Sequence, residues 1–374
     1  MIPYKFFKKS ETTMKVREAI ARIGFYEPPL EGREGEDLLL LDFNESTQPP
    51  PKGVTDAMVR FLQQGSVNRY PAYSALTEKL AGYAGVSPEQ IVLTNGSDQA
   101  IDIVLRSLLE PGDEMVFARP GFAMFTQVAG TLGAATVEIP YLPDMGFPYR
   151  EMVAAVTGKT RLIVLINPNN PTGTAIESGQ IEALLTRFPE VPVLVDEAYF
   201  EFTGATSVPL LARHDNLVIL RTFSKAFAVA GLRLGYALAG PAFVRELHKI
   251  RGPYDVNALA VRGAEALLEH LDDLRLYTEE VMTRAKPMVE RFFAENGVAF
   301  FPGAANFMLV KPRDAKGACE FLLRHKVLVR PQKKPIADTF RLSVGTVADM
   351  RRFIEVFAEY LKMGDAAEAR RAKS

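Results

Sequence analysis

Thr222, Ser224, Lys225 and Arg233 bring two hydroxyls, an amine and a guanidinium together within residues 222–233. Hydroxyls and an arginine suit a dianionic phosphate, because the guanidinium binds it through charge-assisted, forked hydrogen bonds. Lys225 lies beside Ala226-Phe227, in a mostly apolar setting. An ammonium there loses its proton readily, as an amine that forms a Schiff base must. The combination suits an aldehyde that carries a phosphate. A lone Ser-Lys pair would read more simply as a solvated lysine at a strand end; the concentration of donors makes the difference.

Other stretches carry chemistry at the ends of apolar runs. Ile91-Val92-Leu93-Thr94 reads as a strand and passes through Asn95-Gly96-Ser97-Asp98 into a helical pattern that Pro111-Gly112 stops. Such a glycine turn aims free N–H groups of Gly96, Ser97 and Asp98 from a helix N-terminus, which makes a phosphate seat, although many turns of this kind hold no ligand. The run from Arg161 to Ile166 enters Asn167-Pro168-Asn169-Asn170-Pro171-Thr172-Gly173, a rigid, non-helical turn. Val191-Pro192-Val193-Leu194-Val195 ends in Asp196-Glu197-Ala198-Tyr199. An aspartate so placed can pair with a protonated ring nitrogen; the plainer alternatives are a magnesium ligand or a helix cap. Arg330 follows the strand-like Val327-Leu328-Val329, and Arg341 lies in Phe340-Arg341-Leu342-Ser343-Val344-Gly345-Thr346. Both suit an anion.

The elements that must position these groups form an α/β pattern. At least three apolar runs, ending near residues 166, 195 and 221, deliver polar residues at their C-terminal ends, the edge along which open α/β sheets bind ligands. Helical segments between them make the sheet mostly parallel. Before it come a short helical pattern over residues 14–23, the run Leu38-Leu39-Leu40-Leu41, and Asp42-Phe43-Asn44-Glu45-Ser46 ahead of a helix that starts near Pro51. Tyr70-Pro71 precedes another helix over residues 74–82. After the sheet, residues 258–296 read as a long charged helical region, followed by strands at 307–310 and 327–329 with a helix over 315–325 between them. The expected organisation is a larger domain over residues 51–250 and a smaller one from 1–50 with 251–374.

A chain of 374 residues is enough for two lobes. Its 48 % hydrophobic and 24 % charged content is ordinary for a globular protein, and a net charge of −1 offers no basic field for nucleic acid or a membrane surface. No apolar run approaches the ~20 residues that span a bilayer. Residues 1–10 lack a signal core and read as a docking arm; residues 364–374 read as a fraying tail. The single cysteine, Cys319, suits a reducing cytoplasm. The histidines at 214, 248, 270 and 325 show no paired metal-ligand spacing.

From Thr222 to Tyr236 the chain resembles the cofactor-lysine segment of fold-type I pyridoxal-phosphate-dependent aminotransferases, most closely their histidinol-phosphate branch. The resemblance spans residues 26–346, its motifs in the family's order. It implies pyridoxal phosphate bound as a Schiff base on Lys225, a large domain with a mostly parallel sheet, a smaller α+β domain, and a homodimer. Asp196 would face the ring nitrogen, Asn170 and Tyr199 the ring oxygen, and Phe122, where a tyrosine is frequent, the ring face. Tyr70 would cross to the neighbouring subunit's cofactor phosphate. Asn44 would help hold the substrate, here in Asn-Glu-Ser where Asn-Glu-Asn is usual; Gln99 stands where a glutamate is usual. Tyr26, in Gly24-Phe25-Tyr26-Glu27-Pro28, matches a tyrosine that binds the substrate phosphate, and Arg341 the arginine for the substrate's anionic group. The implied reaction moves an amino group between histidinol phosphate and 2-oxoglutarate, with Lys225 as general base and acid. The rivals are an aromatic amino-acid aminotransferase and a decarboxylase of a phosphorylated amino acid. A cofactor-binding regulator would need a DNA-binding domain, for which the residues before the shared region are neither basic enough nor suitably patterned.

Overall fold

The chain enters on a short strand, β1 (Leu39–Leu41), and then lays down the seven strands of the larger sheet. These are β2 (Ile91–Thr94), β3 (Glu114–Arg119), β4 (Ala135–Pro140), β5 (Thr160–Ile166), β6 (Val193–Asp196), β7 (Leu217–Thr222) and β8 (Gly235–Ala239). The computed structural model describes residues 14–34 and 37–371. The strand order is β2-β8-β7-β6-β5-β3-β4, parallel from β7 through β4, with β8 antiparallel to both neighbours. Every residue of β6 and β7 is buried, because helices cover both faces and period-two alternation splits the side chains between two cores. Val193, Val195, Leu217 and Ile219 pack on one face; Leu194, Val218 and Leu220 pack on the other.

The second sheet joins β1 to β9 (Ala299–Phe301), β10 (Phe307–Lys311), β11 (Val327–Pro331) and β12 (Phe340–Ser343) in the order β1-β11-β12-β10-β9. β1 lies parallel to β11 and the remaining pairs are antiparallel. Its core is aromatic, with Phe293, Phe307, Phe340, Phe353 and Phe357 fully buried.

The helical region expected over residues 258–296 is two bodies. Ala258–Leu267 ends near His270, and a second run from Leu271 passes through a π-helical stretch, Glu280–Ala285, into Lys286–Glu295. The halves serve different cores: Val261, Ala264 and Leu267 pack against the larger sheet, whereas Val281, Val289 and Phe293 pack against the smaller. Ala258–Leu267, placed in the smaller domain by the sequence, thus packs against the core of the larger sheet. The N-terminal pattern yields only Glu18–Arg22, since Met14 and Val16 are exposed and bury no apolar face that would extend the helix. The last helix runs Val347–Arg371, through the tail expected to fray, because Ala366, Ala367, Ala369 and Arg370 are good helix formers that continue an anchored helix. The expected docking arm at residues 1–10 and the last residues, 372–374, lie outside the described residues. Among the described residues no helix is long and apolar enough to cross a membrane.

Candidate active site

The loops after β2, β3, β5, β6 and β7, at the C-terminal edge of the larger sheet, meet residues of β11 and β12 in the smaller. β7 ends at Thr222, whose hydroxyl lies 3.0 Å from that of Ser224 and accepts the Ser224 N–H at 3.1 Å. Arg233 donates to the Ser224 hydroxyl at 3.3 Å and pairs with Asp98 at 3.1 Å. Opposite them, the Gly96–Leu108 helix presents the N–H groups of its first turn, which no helical carbonyl can satisfy. Two glycines make this approach possible. A Cβ on Gly96 would lie 2.4 Å from the Arg233 guanidinium, and one on Gly235 would lie 2.6 Å from the Ser97 nitrogen. Hydroxyls, N–H groups and a guanidinium thus converge, a donor set that fits a phosphate. The Asp98 carboxylate only accepts, so its service to an anion is its N–H and its hold on Arg233. Gln99 takes a positional task instead: it accepts from Asn95 N–H and donates to Asp255, both at 2.6 Å.

Lys225 follows on the β7 loop, and its Nζ donates to the Phe43 carbonyl at 2.8 Å. Burial, with Arg341 and Arg233 nearby, lowers its pKa to about 8, within reach of the neutral amine near physiological pH. The Asp196 carboxylate, 4 % exposed, accepts among the described residues only the Ala198 N–H, at 3.1 Å. Burial first, then the Asp98 and Glu197 charges, push its pKa up to about 7. A buried carboxyl that touches no cation among the described residues fits a ring nitrogen that carries a proton. Asn169 donates to the Pro120 carbonyl at 2.9 Å, tying the Asn-Pro turn to the loop that bears Phe122. Phe122 itself is half-buried, edge-on to Phe125. Arg341 donates to Asn170 Oδ1, and a guanidinium has no acceptor, so the Asn170 amide keeps its NH2 for a ligand. Tyr199, 3 % exposed and edge-on to Phe307, accepts from Asn44 Nδ2 at 3.0 Å. Asn44 has φ +56°, so the turn it makes is a left-handed one.

The register of the smaller sheet sets Arg330 directly opposite Arg341. Like charges facing each other on a sheet are destabilising, and burial lowers both guanidinium pKa values. Arg341 also donates to the Asp42 carbonyl at 2.5 Å, while its Nε is buried without a partner. Half-buried Tyr26 sits within the field of both arginines, although burial raises its phenol pKa. Two facing cations and a phenol are a set of donors that could hold an anion, apart from the donors around Ser224 and Arg233.

Sequence reasoning missed five contributors. Arg33 pairs with Asp42 at 3.1 Å and with Glu45, and stacks over Phe43 at 4.4 Å, with Arg330 at 5.2 Å from the same ring. Glu197 and Arg221, each 1 % exposed, form a bond at 2.9 Å behind Asp196 and Thr222. An arginine between Leu220 and Thr222 in an apolar run was a visible signal, since a buried cation demands a partner. Ser343 and Asn306 both bond Asn44, and nothing local marked them. The remaining expectation, Tyr70, is 75 % exposed and stacks on Tyr254 at 4.2 Å; within its own chain it is not brought to the Lys225 cluster.

The family model for class I and II aminotransferases matches residues 36–357. A histidinol-phosphate aminotransferase of Akkermansia muciniphila is 34 % identical over 336 residues, covering 88 % of this chain and 92 % of that protein. One of Moorella thermoacetica is 34 % identical over 369 residues, covering 94 % of each. The crystal structure of histidinol-phosphate aminotransferase from Sinorhizobium meliloti in complex with pyridoxal-5'-phosphate superposes with a TM-score of 0.85 at 25 % identity, covering 94 % of this chain and 99 % of that one. With the lysine, the phosphate seat and the buried aspartate on one sheet edge, the chain belongs to the class I and II aminotransferases, and the relatives it matches along most of its length are histidinol-phosphate aminotransferases.

Proposed function

We propose that this chain is a pyridoxal-phosphate-dependent aminotransferase with histidinol phosphate as amino donor and 2-oxoglutarate as acceptor. Arg330 facing Arg341 carries the choice of donor. A carboxylate has one charge and is saturated by one forked arginine, whereas a phosphate offers up to two charges and three acceptor oxygens. Only the phosphate compensates both guanidinium groups and still accepts from Tyr26. The names of the relatives support the same donor.

When bound, pyridoxal phosphate supplies an electron-withdrawing ring that stabilises negative charge on the substrate carbon. The N–H groups of Gly96, Ser97 and Asp98, with Thr222, Ser224 and Arg233, would hold its phosphate. Asp196 would keep the ring nitrogen protonated, Asn170 and Tyr199 would donate to the ring oxygen, and Phe122 would cover the ring. Lys225, as the neutral amine, would take the proton from the substrate carbon as base and then serve as acid, and its depressed pKa of about 8 suits both roles. Asn44 lines the donor side through Tyr199. We also propose a homodimer in which Tyr70 reaches the other subunit's phosphate seat, a reading supported by its exposure. A cytoplasmic setting is in keeping with the single cysteine.

Turnover of histidinol phosphate, phenylalanine, tyrosine and aspartate with 2-oxoglutarate, followed by glutamate formation, tests the reading. The highest kcat/KM should belong to histidinol phosphate. A preference for phenylalanine or tyrosine would overturn the donor and keep the reaction class; no glutamate from any donor would overturn both.

A further inference from the structure

Three side chains far apart in the sequence form a hydrogen-bond chain that ends at the ring side of the site. The Asn44 N–H donates to Ser343 Oγ at 2.8 Å. A backbone N–H can only donate, so the Ser343 hydroxyl is the acceptor there and its own proton must go elsewhere. That proton reaches Asn44 Oδ1, also at 2.8 Å. The Asn44 amide is thereby oriented with Nδ2 outward, donating to Tyr199 Oη at 3.0 Å. Among the described residues Asn44 is the only hydrogen-bond partner of the Tyr199 hydroxyl, which leaves the phenol proton uncommitted. Ser343 is 1 %, Asn44 1 % and Tyr199 3 % exposed, so water does not compete for these bonds.

We propose that Ser343 sets the direction of this chain and so makes Tyr199 a donor toward the cofactor's ring oxygen. Ser343 is a positioning residue: it lies two places after Arg341 on β12, on the same face of the strand. Without its hydroxyl, Asn44 Oδ1 loses its donor and the amide gains nothing by holding that orientation. Turned over, Asn44 presents Oδ1 to Tyr199, and the phenol proton goes to Asn44 instead of to the ligand. The inference rests on the proposed place of Tyr199 beside the ring oxygen.

The test uses the ligand-free protein and two probes, pyridoxal phosphate and its 3-deoxy analogue, which lacks the ring oxygen; affinities are taken by equilibrium dialysis. A hydrogen bond to an ionised oxygen is expected to favour pyridoxal phosphate roughly 10- to 150-fold. Tyr199→Phe should lose about one such factor, the donor on Asn170 remaining, and Ser343→Ala should lose a similar factor, while Ser343→Thr, which keeps the hydroxyl, should retain it. Asn44→Asp attacks the chain from the other side: a carboxylate only accepts, so it captures the phenol proton and the preference should fall even with Ser343 intact. If Ser343 served packing alone, Ser343→Ala would weaken both probes equally and leave their ratio unchanged. That result, beside a lost ratio in Tyr199→Phe, overturns the inference; so does a wild-type ratio in Asn44→Asp should Ser343→Ala fail to fold. An unchanged ratio in Tyr199→Phe instead removes Tyr199 from the ring oxygen, and the inference falls with that reading.

Discussion

Replacing Arg330 by methionine separates donor binding from stability. Arg330 makes no ion pair among the described residues; its guanidinium lies 5.2 Å from the Phe43 ring centroid and opposite Arg341. Methionine keeps much of the apolar stem that packs there. The variant loses a cation–π contact and relieves a like-charge pair, terms of about 0.5–1 kcal/mol and opposite sign. The melting temperature of the ligand-free protein should therefore move by no more than about 2 °C. Donor binding has no such cancellation. A charge-assisted hydrogen bond to the phosphate contributes about 1.5–3 kcal/mol, so kcat/KM for histidinol phosphate should fall roughly 10- to 150-fold. Phenylalanine, held through Arg341, should lose little. Steady-state kinetics with both donors and a thermal melt of the same preparation make the comparison. Loss of less than about 3-fold for histidinol phosphate, or an equal loss for phenylalanine, refutes the reasoning; a large drop in melting temperature would make Arg330 a structural residue instead.

Four further outcomes follow from the geometry. The folded-state pKa of Asp196 is raised to about 7, so its ionisation costs nothing below the unfolded value of about 4, grows as pH rises, and levels off above 7; Asp196→Asn should thus raise the ligand-free melting temperature at pH 8 and leave it unchanged near pH 4, and parallel melting curves at the two pH values would remove the argument. Glu197→Gln leaves the buried Arg221 charge without its counter-ion and should cost about 3–5 kcal/mol in urea unfolding. Arg33→Ala frees the Asp42 carboxylate beside Arg330 and Arg341, so KM for histidinol phosphate should rise several-fold, and adding Asp42→Asn should restore it; no restoration would exclude capture of the arginines by Asp42. Mixed dimers of Lys225→Ala and Tyr70→Phe subunits should exceed both parent variants in activity, because one site of each hybrid carries neither defect, whereas hybrids no better than the parents would return Tyr70 to its own subunit.

Much of this site can be read from the linear chain because its chemistry sits at strand ends, and strand ends are local events. An apolar run followed by Thr222, Ser224 and Lys225, another followed by Asp196, and a third followed by the Asn-Pro turn identify the sheet edge and the polar groups gathered along it. Gly96 and Arg233 belong to that layer too, since the turn before a helix and the donors a phosphate needs are properties of short stretches. β8 escaped because Gly235–Ala239, small and short, returns antiparallel between β2 and β7, a placement that only packing selects. The division of residues 258–296 between two cores escaped for a similar reason: the pattern is helical throughout, and which core each half buries is not written in its periodicity.

What joins the smaller lobe to the site is tertiary. Asn44 and Ser343 are 299 positions apart, as are Asp42 and Arg341, and no local preference can signal contacts at that separation. β1 must first pair beside β11, and β11 beside β12, before Asn44 meets Ser343 or Arg330 meets Arg341. The residue types announced a lysine, a phosphate seat and arginines in search of an anion. The pairing of β11 with β12, whose Val327, Val329, Phe340 and Leu342 share one core, decided that two of those arginines face each other and that a serine orients the asparagine beside Tyr199.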